Sequence, residues 1–310
     1  MGDKPVLRAG EPVGSALVAI ARDIIAEARA GLGGIDGNQA VAVHDYRKSM
    51  KRWRAFLRLL EPLVGPEARS LRIEARELAR RLAGARDVQA MLDALADLKD
   101  AEHGLSKTSF ATMCERIEQI RRAAESTALT SDLRDELNAA LARAAGAVEH
   151  WRLAALTFAD VAGELTRHYR RARRAIPADW AHVEDDALHE LRQRVVEHRY
   201  QMELAEPLWP RLGKLWVAEA QRLRERLGSH RDLTLLGRAT APHHALAPWR
   251  SRLTPAIEER KHAHVAVAQR LATRLFAERP KAFRRRIEAL WDTAAARAPS
   301  TGRAGAYGSH

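Results

Sequence analysis

Apolar residues recur every three to four positions along most of the chain, which is the spacing of one face of an amphipathic α-helix. Alanine, leucine, arginine and glutamate, all good helix formers, dominate these segments. The sequence lacks the alternating apolar and polar residues of half-buried strands. It therefore predicts an all-α protein. The predicted helices lie at about 13–30, 39–60, 67–82, 87–98, 110–125, 130–174 with a candidate break at Gly146, 185–205, 212–227, 233–238, 248–278 and 282–296.

One fragment of the sequence occurs twice at an offset of 145 residues. VHDYRKSMKRWRAFLRLLEPL at 43–63 aligns with LHELRQRVVEHRYQMELAEPL at 188–208. A second pair, LARRLAGARDV at 78–88 and LRERLGSHRDL at 223–233, keeps the same register. Because self-similarity at a fixed period is typical of folds built from copies of one unit, we expect two helical bundles related by a pseudo-twofold axis.

The length of the chain supports a two-part organisation, since 310 residues slightly exceed what one hydrophobic core usually serves. We expect a first helical half over about 13–149 and a second over about 150–297. A flexible N-terminus at 1–12 and a disordered tail at 298–310 flank them in this prediction, because the tail lacks any apolar pattern.

Charge narrows the choice of partners. Lys and Arg number 52 against 40 Asp and Glu, a formal net charge of +12, which favours polyanions such as nucleic acid, phosphate polymers or an anionic membrane surface. Aromatic residues make up only 5%, too few for extensive base stacking. No apolar run reaches the roughly 18 residues of a spanning helix, and no signal-peptide core is present, so we expect a cytoplasmic protein.

The repeated helix predicts a cationic stripe when it is projected at about 100° per residue. Asp45 is the only acid between the first and last members of the stripe in the first copy, so pairing within the helix is sparse and an absent anionic partner is suggested. The stripe residues are His44, Arg47, Lys48, Lys51, Arg52, Arg54 and Arg58 in the first copy and His189, Arg192 and Arg199 in the second. Secondary candidates on other helices are Arg72, Arg76, Arg170 and Arg173.

Structural alternatives exist for each of these features. A basic face can simply be solvated, and the arginines of RHYRRARR at 167–174 can complement a helix dipole without a ligand. His44 and His189 can bind an anion or brace the start of a helix. The Arg-Asp steps at Arg86 and Arg231 predict buried ion pairs that fix a turn. The second copy is richer in acids, so the site should be lopsided towards the first copy.

Catalytic motifs are missing from the sequence. There is no phosphate-binding G-x-x-x-x-G-K-[ST] loop, no G-x-G-x-x-G after a strand, and no i,i+4 histidine pair on a helix. The single Cys114 excludes an intramolecular disulfide and a cysteine-based zinc site. The sequence therefore predicts no catalytic residue, no metal site and no cofactor.

The repeated V/L-H-x-x-R helix and the L-x-x-x-R-D-hydrophobic blocks resemble the CHAD family, the conserved-histidine α-helical domain. The resemblance implies two helical bundles with a basic surface between them, binding of inorganic polyphosphate and, for some relatives, association with polyphosphate or polyhydroxyalkanoate granules. The positions that match the family's basic residues are His44, Arg47, Lys51, Arg52, Arg54, His189, Arg192 and Arg199. This chain departs at Val196 and Glu197, where the family usually has lysines.

The sequence thus predicts a non-enzymatic protein that binds polyphosphate through a basic groove between two helical halves, with storage granules as a further partner. Nonspecific binding of nucleic acid is the first alternative, disfavoured by the few aromatic residues and the absence of a helix-turn-helix signature. An enzyme acting on phosphate polymers is the second, disfavoured because no carboxylate cluster for divalent metals is apparent.

Overall fold

The computed structural model describes residues 5–33, 39–82, 84–100, 106–125 and 130–297. These ranges contain eleven α-helices and no strand, so the predicted all-α fold is confirmed. The predicted tail at 298–310 lies outside the described residues. The helices are α1 (Val13–Gly33), α2 (Gln39–Val64), α3 (Pro66–Arg81), α4 (Gly84–Asp100), α5 (Lys107–Glu125), α6 (Ser131–Glu149), α7 (Phe158–Arg174), α8 (Asp185–Ala205), α9 (Pro210–Ala239), α10 (Arg250–Leu275) and α11 (Pro280–Arg297).

Two predicted helix ends need correction. The second helix does not stop before Pro62 but continues to Val64, and Gly65, in the left-handed region at φ 96°, ends it with a bond from its N–H to the carbonyl of Glu61. The predicted break at Gly146 is wrong, because Gly146 lies within α6. The chain leaves the helix after α6 instead and re-enters one at α7, where the side chains of Thr157 and Asp160 form a capping box.

The Arg-Asp turn predicted in the second copy is also wrong. Residues 210–239 form one continuous helix of 30 residues, since a single buried glycine, Gly228, is not enough to end it. Arg231 therefore lies in mid-helix and reaches across to Asp87 of α4, with 3.5 Å between Nη2 and Oδ1. The two side chains are 27% and 47% exposed, so this ion pair is not buried. The side chain of Arg86 lies outside the described residues.

The order of the helices matches the offset seen in the sequence. A shift of 145 residues places α1 on α7, α2 on α8, α5 on α10 and α6 on α11, while α3 and α4 fall on the two parts of α9. The duplication itself stays a prediction. The buried side chains do not follow the predicted halves, however. A large cluster combines α1, α2, α3 and α6 with α7, α8, α11, the first part of α9 and the second part of α10. A smaller one combines α4 and α5 with the second part of α9 and the first part of α10.

The start of the chain contributes to the large cluster as well. Leu7 lies ahead of α1 and is fully buried among its side chains, so the flexible N-terminus predicted over 1–12 does not include this residue. Leu7 thereby fixes the segment that enters α1. None of the helices in the described ranges combines the length and apolar character needed to cross a bilayer.

An aromatic group in the large cluster fixes α8 against its neighbours. His198 of α8 is buried, its Nε2 accepts a hydrogen bond of 3.1 Å from the indole N–H of Trp216, and its ring contacts Tyr169 and Phe276. Burial, and next the neighbouring His168, lower the pKa of His198 to about 3. The ring is therefore neutral at neutral pH, as an acceptor of the Trp216 bond must be.

We expect the free energy of unfolding to decrease as pH falls from about 6.5 towards 5. Burial lowers the pKa of His168 to about 3 as well, so the unfolded chain binds protons at these two histidines in a range where the native protein does not. The loss is up to about 1.4 kcal/mol per pH unit for each histidine. Urea unfolding at several pH values measures it.

The variant His198→Gln supplies the specific control, because the Gln carbonyl can accept the bond from Trp216 but does not titrate. Its stability should depend less on pH than that of the wild type. Equal slopes for the wild type and His198→Gln would contradict this account.

Candidate anion-binding site

The predicted stripe on α2 is interrupted in its middle. Ala55 and Leu59 lie within it by projection, but they are only 2% and 0% exposed, because α2 packs against α1, α3, α7 and α8. Gln201 of α8 reaches the carbonyl of Ala55 at 3.4 Å. The stripe is thus divided into a group near the start of α2 and a group near its end.

Arg52 is not an unpaired cation, contrary to the prediction. Its Nη1 lies 3.1 Å from a carboxylate oxygen of Asp23 and 2.7 Å from one of Glu27, both on α1. With 17% of its side chain exposed, the guanidinium group is largely enclosed by this contact. Arg52 therefore ties α2 to α1, and its charge is already neutralised within the protein.

Arg47 and Arg192, at equivalent positions of the two copies, contact neighbouring helices. Nη1 of Arg47 donates to the carbonyl oxygens of Ala79, at 3.2 Å, and of Leu82. These carbonyls lie at the end of α3, where helices lack internal donors. Arg192 packs over Gly228, where an added Cβ would lie 3.6 Å from its Nε. Both arginines thus have a structural role.

The two histidines are on the surface. His44 and Lys48 are exposed at the start of α2, and no carboxylate among the described residues forms an ion pair with Lys48. His189 is also exposed, and desolvation by surrounding atoms, followed by repulsion from Arg231 and Arg192, lowers its pKa. No described contact joins His44 to His189, so the predicted groove between them stays untested.

Most of the cations that converge do so near the end of α2, in a group that we call the arginine cluster. Burial, and then repulsion from Arg76, lowers the pKa of Arg54. Burial lowers the pKa of Arg58 too, with further repulsion from Arg72 and Arg194. The arginine cluster consists of Arg54 and Arg58 of α2, Arg72 and Arg76 of α3, Arg171 of α7 and Arg194 of α8.

His168 connects α7 to this group. It bonds to the backbone of Arg58, and burial, followed by repulsion from Arg171, Arg58 and Arg194, keeps its ring neutral. Arg171 of α7, Arg194 of α8 and Arg58 of α2 thus all act on this one imidazole ring. Four helices therefore supply cations to one region of the surface.

Two carboxylates partly neutralise the arginine cluster. Glu197 of α8 lies 2.9 Å from Nε of Arg58 and 3.5 Å from Nη1 of Arg194. Burial raises the pKa of Glu197, and the nearby arginines oppose this shift. Glu61 pairs with Arg72 at 3.0 Å. Within the described part of the chain, Arg54, Arg76 and Arg171 have no carboxylate at ion-pair distance.

The pattern described as the CHAD domain matches residues 19–241, well over half of the chain. The chain belongs to the CHAD domain family. Its fold is similar to PptA from Streptomyces chartreusis, with a TM-score of 0.64 and 19% identity over 86% of this chain and 100% of that one. It is also similar to the CHAD domain from the plant Ricinus communis, with a TM-score of 0.57 and 18% identity over 93% and 95%. Comparison with curated proteins gave no significant match.

The remaining predicted anion-binding residues of this CHAD domain differ in whether their side chains are free to contact a ligand. Arg173 donates from Nε to the carbonyl of Phe276 at 3.1 Å, and Arg199 pairs with Glu203 at 2.8 Å. Arg170 is exposed without an ion pair among the described residues, as is its neighbour Arg171. Arg170 is thus available to a ligand, whereas Arg173 and Arg199 are engaged in structural contacts.

Sequence reasoning missed the contribution of Arg194. It lies about 140° from His189 on the helical projection, outside the predicted stripe, and only the packing of α8 against α2 brings it to Arg58. Arg171 could have been recognised as a candidate from the sequence, because it belongs to the acid-free segment RHYRRARR. No three His, Cys, Asp or Glu side chains in the described ranges form a candidate metal site.

We expect Arg52→Gln to lower the stability of this CHAD domain by about 1–3 kcal/mol, because it leaves two neighbouring carboxylates on α1 without their cation. Urea unfolding provides the measurement. Lys48→Gln removes the same charge from the same helix at an exposed position and should change stability by less than about 0.5 kcal/mol. Equal effects would show that the contact between Arg52 and α1 contributes little.

Proposed function

We propose that this CHAD domain binds inorganic polyphosphate and that the arginine cluster is the centre of the site. The observation that carries the proposal is the convergence of six guanidinium groups from four helices, three of them without a carboxylate at ion-pair distance in the described residues. Like charges this close repel one another, and a polyanion removes that repulsion. The family resemblance supports the same ligand.

The chemistry of polyphosphate suits such a site. Each phosphate unit carries negative charge, and the polymer has no base edges to be read. Arginine donates forked hydrogen bonds to phosphate oxygens, so several arginines from different helices can contact successive units. Arg54 and Arg76 are the strongest candidates for these contacts, since neither has a carboxylate at ion-pair distance among the described residues.

Nucleic acid is the alternative ligand, because its backbone presents similar charges. Single-stranded binding normally adds aromatic stacking, and aromatic residues make up only 5% of this chain. Competition between polyphosphate and single-stranded DNA of matched charge separates the two ligands. Preferential displacement of polyphosphate by the DNA would favour the alternative.

We propose further that the protein binds polyphosphate without transforming it. The carboxylates of the arginine cluster, Glu61 and Glu197, contact arginines. Phosphate release from polyphosphate in the presence of Mg²⁺ or Mn²⁺ would contradict this part of the proposal. Association with polyphosphate or polyhydroxyalkanoate granules follows from the family resemblance, and co-sedimentation with isolated granules tests it.

Binding of polyphosphate should weaken steeply with salt, because each neutralised phosphate releases counterions. If about four to six contacts form and the flexible chain behaves like a single-stranded nucleic acid, the slope of log affinity against log salt is about −3 to −4. Fluorescence titration with polyphosphate of defined length gives this slope. A flat response between about 50 and 200 mM salt is incompatible with the proposed mechanism.

Arg76→Gln should weaken polyphosphate binding by roughly tenfold, the effect of losing one charged hydrogen bond to a phosphate. Arg80→Gln is the matched control. It lies one turn later on α3 and is exposed, but its Nη1 pairs with Glu77 at 2.9 Å, so its loss should change affinity by less than about threefold. Equal losses of affinity in Arg76→Gln and Arg80→Gln would show that the binding site is not centred on Arg54 and Arg76.

A further inference from the structure

Glu197 is an acid in the middle of the arginine cluster. Its side chain is 16% exposed, and Oε1 lies 2.9 Å from Nε of Arg58. Oε2 lies 3.5 Å from Nη1 of Arg194 and 3.9 Å from Nδ1 of His168, and this buried oxygen makes no well-aligned hydrogen bond within the described structure. The carboxylate therefore faces two guanidinium groups and one imidazole ring, while one of its oxygens lacks a well-aligned hydrogen-bond donor.

Two other acids near the cluster, Glu190 and Glu61, are better exposed to water, whereas Glu164 of α7 is 8% exposed, pairs with Arg167 at 3.1 Å and acts on Arg171. Glu190, two turns before Glu197 on α8, lies 3.2 Å from Nη2 of Arg194, but its side chain is 60% exposed. Glu61 is 31% exposed. Because water screens exposed charges, Glu190 exerts a weaker field on an anion at the cluster than the enclosed Glu197 does.

We propose that Glu197 acts as a resident counter-anion, which holds the guanidinium groups of Arg58 and Arg194 and competes with phosphate for them. The inference rests on polyphosphate binding at the arginine cluster. It assigns to Glu197 the role of limiting the affinity of the site. It also directs the polymer first to Arg54, Arg76 and Arg171, which have no carboxylate at ion-pair distance among the described residues.

The physical basis is that a guanidinium group already paired with a carboxylate gains less from a phosphate. A phosphate at Arg58 would also lie close to the carboxylate of Glu197, and two anions in a partly desolvated site repel strongly. Bound polyphosphate must therefore share the arginine with Glu197 or leave it. In either case the negative charge of Glu197 weakens binding.

The test is Glu197→Gln, which keeps the size of the side chain and removes its charge. We expect the dissociation constant for polyphosphate to fall by about threefold to tenfold at roughly 50 mM salt. The log–log salt slope should steepen by about 0.7, since one more phosphate is neutralised. Glu190→Gln changes the net charge equally and touches the same Arg194, so it should tighten binding by less than about twofold.

If Glu197→Gln prevents the protein from folding, a second comparison still tests the proposal. In that case the comparison is made in the Arg194→Gln background, where the double variant Arg194→Gln/Glu197→Gln has the same net charge as the wild type. The double variant should bind polyphosphate more tightly than Arg194→Gln alone. Equal or weaker binding by the double variant would overturn the role of Glu197.

The remaining outcomes are distinguishable. Weaker binding by a folded Glu197→Gln protein would show that the carboxylate orients the arginines productively, and it would overturn this inference alone. An equal gain from Glu190→Gln would also overturn it, because net charge would then explain the effect. Failure of the wild type to bind polyphosphate would overturn the proposed function and, with it, this inference.

Discussion

The structure depends on how one highly charged helix is covered on several sides. α2 packs against α1, α3, α7 and α8, although six cations project from one side of it. Several enclosed cations contact groups that lie far away in the sequence: Arg52 contacts the α1 carboxylates, Arg47 the α3 carbonyls and Arg58 the carboxylate of Glu197. Burying a charge without such a partner is too costly, so these contacts set the positions of the helices around α2.

Much of the fold could be predicted from the sequence, because helical periodicity is a local property. The start of α1 at Val13 and the full extent of α8 agree with the prediction. The errors arose where a local breaker signal competes with tertiary packing. Gly228 suggested an interruption, but Arg192 packs over it and the helix continues through Arg231. Local sequence gives no measure of such a contact.

The candidate site was less accessible to prediction, because ion pairs between helices leave no trace in helical spacing. The projection of α2 showed a shortage of acids within the helix, yet Asp23, Glu27 and Glu197 provide them from α1 and α8. Glu197 was expected merely to weaken the second copy. It instead contacts Arg58 of the first copy. The ion pairs of this protein therefore join residues of different copies and cannot be found from the sequence of one copy alone.

The continuous α9 has a consequence for how the protein unfolds. A helix of 30 residues is about 45 Å long, and its first part belongs to the large buried cluster while its second part belongs to the smaller one. Separation of the two clusters would require this helix to break or to withdraw one of its ends from an apolar environment. Since helices propagate cooperatively, α9 couples the two clusters mechanically, and they should melt as one unit rather than as independent domains.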